Sequence, residues 1–174
     1  LNPWFVGAHF VLSGIMIAVA ALLVFRALPP RHVPVSPAIW RTANPIALVG
    51  TITVLVGVLV TGAGPHSGDA NSIRNGLDLE LWQHVHSYPA YLLLLLTLIQ
   101  LGLLSKRDMS GLERSYQLKV SAWLVVTTIA QALIGVIQAR LGVPGGLVAL
   151  HMLGASVMCA LLTFQWLAIR GKGK

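Results

Sequence analysis

Five long apolar runs, at about residues 3–27, 44–63, 81–105, 116–140 and 145–169, dominate the chain. Each is about 20–25 residues long, which at about 1.5 Å per helical residue crosses a hydrocarbon core of about 30 Å. The pattern predicts an all-α integral membrane fold with five transmembrane helices. The connections at 28–43 and 64–80 are the long ones, marked as irregular by Pro29, Pro30, Pro34 and Pro37 in the first and by Gly62, Gly64, Pro65 and Gly68 around the second. Helices 4 and 5 are joined tightly through Gly142-Val143-Pro144-Gly145-Gly146, which predicts an antiparallel pair.

A weak internal repeat relates the first helix to the last. Phe5-Val6-Gly7-Ala8-His9 matches Leu147-Val148-Ala149-Leu150-His151, and small residues follow both histidines at Ser13-Gly14 and Gly154-Ala155. Membrane proteins are often built by duplication. On that basis 1–28 is expected to be the last helix of one four-helix unit, 29–43 a cytoplasmic linker, and 44–174 a second, complete four-helix unit.

Composition agrees with a lipid solvent: 56% of residues are hydrophobic, 10% are charged, and mean hydropathy is +0.78. The net charge of +7 changes the picture only through its distribution. Arg26, Arg31 and Arg41 flank or occupy the first connection, Lys106, Arg107, Arg114 and Lys119 the third, and Arg170, Lys172 and Lys174 the tail; the other two connections hold only Arg74 and Arg140. Cationic loops stay in the cytoplasm, so the expectation is a multi-pass protein of the cell membrane with its N-terminus outside and its C-terminus inside. The basic residues serve topology, and no nucleic-acid role is expected. The opening Leu1-Asn2-Pro3-Trp4 has neither a basic leader nor an Ala-x-Ala exit, and no initiator methionine, so a piece of a longer protein is expected. Cys159, the single cysteine, reads as a packing residue.

Ionisable side chains within spans are costly and mark functional sites. His9, His86 and His151 each lie about five or six residues, or roughly 7–9 Å, from the outer end of their helices. His86 and His151, on helices 3 and 5, can present imidazoles from opposite sides to one flat cofactor. Haem suits such a pair, because its iron takes two axial imidazoles while the porphyrin needs apolar walls and small residues such as Gly154, Ala155, Ala90 and Gly135. Arg74 and Arg140 are the cations placed to meet its propionates. The competing reading is interhelical hydrogen bonding by each histidine. A non-haem metal or a proton relay would call for carboxylates, and the spans carry none away from their edges.

His84 points about 200° from His86 on a helix, and His86, being deeper, is preferred as the ligand. His66 and His32 read as solvated loop residues. The stretch Thr61-Gly62-Ala63-Gly64-Pro65-His66-Ser67-Gly68-Asp69 lacks a P-loop lysine and suits a lid over the outer site. Gln131 and Gln138, two turns apart on helix 4, favour interhelical hydrogen bonding over cofactor contact.

Three ordered motifs, TGAGPHSGD after a span, QALIGVIQARLGVP on helix 4 and LVALHMLGA opening helix 5, resemble the haem A synthase family, with actinobacterial members the most similar. The opening LNPWFVGAHFVLSG resembles the fourth helix of the same family, so the resemblance covers helices four to eight of an eight-helix duplication. It implies an enzyme that oxidises the methyl group of haem O to the formyl group of haem A for cytochrome oxidase assembly. It further implies a haem b between His86 and His151, with His9 on the side of the substrate haem; no catalytic residue carries over. Haem O and haem A, membrane lipid, haem O synthase and an electron donor are the partners implied. The chain lacks the first three family helices, with the partner of His9, a nearby acidic residue and an outer-loop cysteine pair, so these 174 residues are not expected to complete a turnover alone. A non-catalytic cytochrome b-like electron-transfer subunit is the alternative, and a transport or structural bundle the third reading.

Overall fold

The computed structural model describes residues 2–28, 35–66, 71–106 and 112–170, with side chains in the last segment from Tyr116 onward. Five helices follow one another: α1 (Pro3–Ala27), α2 (Pro37–Ala63), α3 (Leu79–Ser105), α4 (Leu112–Arg140) and α5 (Gly145–Arg170). All five are long and apolar enough to cross a membrane, and no strand occurs among the described residues. The chain is a multi-pass, all-α membrane protein.

Local chemistry sets the helix starts. The Asn2 side chain accepts a hydrogen bond from the Trp4 amide at 2.9 Å, and the Asp78 carboxylate accepts one from Leu81 at 2.7 Å. Ser36 caps α2 by accepting from Ile39, with Pro37 at the first helical position, where a missing N–H costs nothing. That cap corrects one sequence boundary. The segment 37–43, expected within the linker, is the first two turns of α2; its polar residues Arg41 and Thr42 interrupt the apolar pattern. Pro45 lies inside α2 and leaves the helix continuous. Residues 29–34 of the expected linker, His32 among them, fall outside the described residues.

Helices α2 to α5 form a four-membered ring in which each packs against its two neighbours, leaving α3 opposite α5 on one diagonal and α2 opposite α4 on the other. As expected, α4 and α5 are an antiparallel pair. The connecting turn uses positive φ at Gly142 (73°) and Val143 (61°). Val143 N–H closes the end of α4 by donating to the Gln138 carbonyl at 2.7 Å.

Helix α1 lies outside the ring against α2 and α5. Its Gly7, Gly14 and Ala21 recur every seven residues on one face. A Cβ added at Gly7 would stand 3.3 Å from Val58, and one at Gly14 would stand 3.7 Å from the Cys159 sulfur. Small residues let the backbones approach where lipid supplies no hydrophobic drive. The opposite face of α1 leaves Phe5, Leu12, Met16 and Leu23 exposed.

The ring interior is layered, and heptad spacing generates the layers. On α3 the inward series is His86, Leu93, Gln100; on α5 it is His151, Met158, Gln165. On the other diagonal the series are Gly57, Gly50, Ala43 on α2 and Gly135, Thr128, Ser121 on α4. Large side chains on one diagonal therefore meet small ones on the other. The middle layer is apolar, formed by Ile46, Leu93, Leu124, Met158 and Leu162. Below it, Gln100 Nε2 donates to Thr42 Oγ1 at 2.7 Å. Ser121 Oγ donates to Gln100 Oε1 at 3.2 Å, and Gln165 Nε2 donates to the same oxygen at 3.0 Å. This polar layer joins all four ring helices and is closed from beneath by Ile39, Ala43, Leu104 and Ile169. Gln100, Ser121 and Gln165 are almost wholly buried, which requires such pairing in a core without water, and Thr42 is half-buried.

Candidate functional site

The top layer, nearest the α2–α3 and α4–α5 connections, holds the two inward histidines. His86 stands one heptad above the buried Leu93, and His151 one heptad above the buried Met158, so both rings are aimed along the α3–α5 diagonal into the ring. Their centroids are 6.2 Å apart, with planes at 77°. Both are half-buried. The Nδ1 atom of each is buried and has no hydrogen-bond partner, an unusual state for a polar atom in a helical core.

Glycines on the other diagonal make room for these rings. A Cβ at Gly57 would come within 3.0 Å of His86 Cε1, and one at Gly135 within 3.6 Å of His151 Cε1. One turn below, a Cβ at Gly154 would overlap the side-chain amide of Gln131. Gln131 thus lies against α5 at Gly154. Ala90 and Ala155 are half-buried.

His9, His86 and His151 each stand six or seven residues beyond the start of their helices, but His9 does not join the pair. It is exposed on α1, in ring contact with Phe10 at 6.0 Å. The cause is the packing of α1 through Gly7 and Gly14, which turns His9, two residues on from Gly7, toward the outside. His84 is exposed, as its 200° offset from His86 requires.

Above the histidines, Val60, Thr61, Gly64, Pro65, His66, Leu79, Gln83, Gln138, Val143 and Val148 line a cavity of about 40 Å³. Its roof is built by Asn75. The Asn75 backbone N–H donates to the Gly62 carbonyl at 3.1 Å, and its side-chain amide to the Leu59 carbonyl at 2.9 Å. The Gly62 carbonyl, freed at the end of α2, is thereby satisfied. Arg74 donates to the Pro65 carbonyl at 3.0 Å, so its guanidinium braces the loop. His66 is exposed, yet it is an anchor as well as a solvated residue: its Nε2 lies 2.8 Å from the Val143 carbonyl, tying the α2–α3 connection to the α4–α5 turn. The described part of the Gly-rich stretch, 61–66, does cover the histidine layer; 67–70 lie outside the described residues. Arg140 is exposed at the end of α4.

Sequence reasoning passed over Gln100, Gln165, Ser121 and Thr42. The available signal was an amide in an apolar span exactly two heptads from each histidine, and it becomes legible once the inward register is known. No group of three or more metal-ligating side chains occurs among the described residues; a haem iron requires only the two. Comparison with protein-family models, curated proteins and solved structures finds no match.

Proposed function

We propose that His86 and His151 are the axial ligands of a haem b, and that the chain is the haem-binding part of a membrane oxidoreductase of the haem A synthase type, acting on haem O. The observation that carries this reading is the spacing of the two imidazoles. Their ring centres stand 6.2 Å apart, close enough that both imidazoles could hold one metal ion between them. Three further features support it. The Nδ1 atoms lack partners, the middle layer below them is apolar, and glycines, Gly57 and Gly135, stand behind the two rings on α2 and α4.

Bound there, the haem would supply one-electron redox chemistry at its iron. The chain's own contribution is to hold two neutral imidazoles in register, to keep water from the middle of the ring through the layer of Leu93, Leu124 and Met158, and to shield the site from above with the loop braced by Asn75. The assignment to haem A synthase rests on the motif order; the Lys and Arg distribution supports a histidine layer in the outer leaflet and a cytoplasmic C-terminus. His9, turned away from the pair, belongs in this reading to the side of the substrate haem. An electron donor and a source of haem O follow as partners from the oxidation itself.

A cytochrome b-like relay would place a second bis-histidine pair lower in the same ring. Gln100 and Gln165 occupy that level and bond to each other, which favours the single-haem reading.

The test is an optical spectrum, oxidised and dithionite-reduced, of the chain purified in detergent after expression with haem supply. A low-spin b-type spectrum at about one haem per chain is expected. Folded but colourless protein would sink the proposal.

A further inference from the structure

Of the six residues that line the upper cavity from the ring helices, four stand one turn above a member of the histidine layer. Thr61 is four residues beyond Gly57, Gln83 three before His86, Gln138 three beyond Gly135, and Val148 three before His151. The cavity is therefore stacked directly on the imidazole pair, about 5 Å higher along the bundle. Three of those four positions are polar in an otherwise apolar ring. The side-chain oxygen of Gln138, Oε1, is buried and has no hydrogen-bond partner. Because the two ends of an amide exchange by a simple rotation, Gln138 and Gln83 can each turn N–H donors into this space. The remaining wall is Val60, Leu79 and Val143, with Gly64, Pro65 and the exposed His66 on the solvent side. Arg74 adds a positive charge beside the roof through its bond to the Pro65 carbonyl.

We propose that this cavity is a carboxylate subsite, in which the amides of Gln83 and Gln138 receive one acidic group of the ligand held by His86 and His151. The inference rests on the haem reading above, for which the acidic group is a propionate. The cavity of about 40 Å³ exceeds the roughly 10–15 Å³ that one water needs on the same measure, which leaves space for a small polar group such as a carboxylate. Gln83 and Gln138 are ligand-binding residues on this view, while Arg74 acts at longer range through its charge.

The experiment compares protohaem with its dimethyl ester, titrated into the full chain in detergent and followed by the Soret band. The wild type is expected to prefer the free acid by about tenfold, the size of effect that charge-assisted hydrogen bonds produce. Gln138→Leu combined with Gln83→Leu should bring the two affinities together while the low-spin spectrum persists. Gln138→Glu, which keeps the shape and adds a like charge, should weaken the acid more than the ester. Equal wild-type affinity for acid and ester, or an unchanged preference in both variants, would overturn the subsite and mean that the cavity holds only water. If neither compound gives a low-spin spectrum in the wild type, the haem reading fails and the subsite with it; that result is distinct from equal binding of both.

Discussion

His86 and His151 face each other across the α3–α5 diagonal with ring centres 6.2 Å apart, and neither Nδ1 has a partner. Replacing either ring by alanine should remove one axial ligand and with it the low-spin spectrum. His9→Ala should leave that spectrum intact, because His9 is exposed on α1. Reduced-minus-oxidised spectra of the three variants check this. A normal bis-histidine spectrum in the His86→Ala, His151→Ala double variant would refute the site.

Gly57 and Gly135 occupy equivalent places behind the two imidazoles, but the clearances differ. A methyl at Gly57 would press on His86 at 3.0 Å, whereas one at Gly135 would meet His151 at 3.6 Å, an ordinary contact. Gly57→Ala is expected to displace the His86 ring and cost about 1–3 kcal/mol, the usual range for overpacking, and Gly135→Ala to cost much less. Thermal unfolding in detergent, read with the haem spectrum, compares the two; equal effects would contradict the difference in clearance.

Gly154 and Gln131 should show strong coupling. Gly154→Ala alone forces the Gln131 amide out of its place against α5, while Gln131→Ala removes the obstacle. The double variant should therefore be more stable than the sum of the single effects implies, by about 0.5–3 kcal/mol. Additive losses in a double-mutant cycle would show that the two side chains do not compete.

Gln100 receives hydrogen bonds from Ser121 and Gln165 and donates to Thr42. Gln100→Leu strands all three, and a loss of about 1–2 kcal/mol is expected, near the upper end for polar contacts between membrane helices. Gln165→Leu breaks a single bond and removes an oxygen that already lacks a partner, so its cost should be smaller. Equal destabilisation of the two variants in a detergent-unfolding titration would disprove the network's hierarchy.

Asn75→Ala should loosen the roof without altering the ring beneath. It deletes the bond to the Leu59 carbonyl, worth about 1 kcal/mol. Faster amide exchange confined to 61–66 and 71–78 is the expected signature; exchange spreading into α3 would show that the roof supports the bundle itself.

The sequence by itself determined the number of helices, their approximate extents, the tight pairing of α4 with α5, and the places of His9, His86 and His151 along their helices. Those properties follow from hydropathy and from the fixed rise of a helix, both of which can be counted along a chain. The start of α2 at Pro37 escaped because Arg41 and Thr42 interrupt the apolar run, although Ser36-Pro37 carried the capping signal. Rotation was the harder quantity. In lipid, apolar side chains are equally at home inside the bundle and outside it, so hydropathy does not tell which face of a transmembrane helix turns inward. Only the packed ring decided that His86 and His151 converge while His9 is turned out by Gly7 and Gly14, and that Gln100 meets Gln165 two heptads below. Those outcomes depend on which small residues allow which backbones to approach, a property of pairs of helices that no single helix contains.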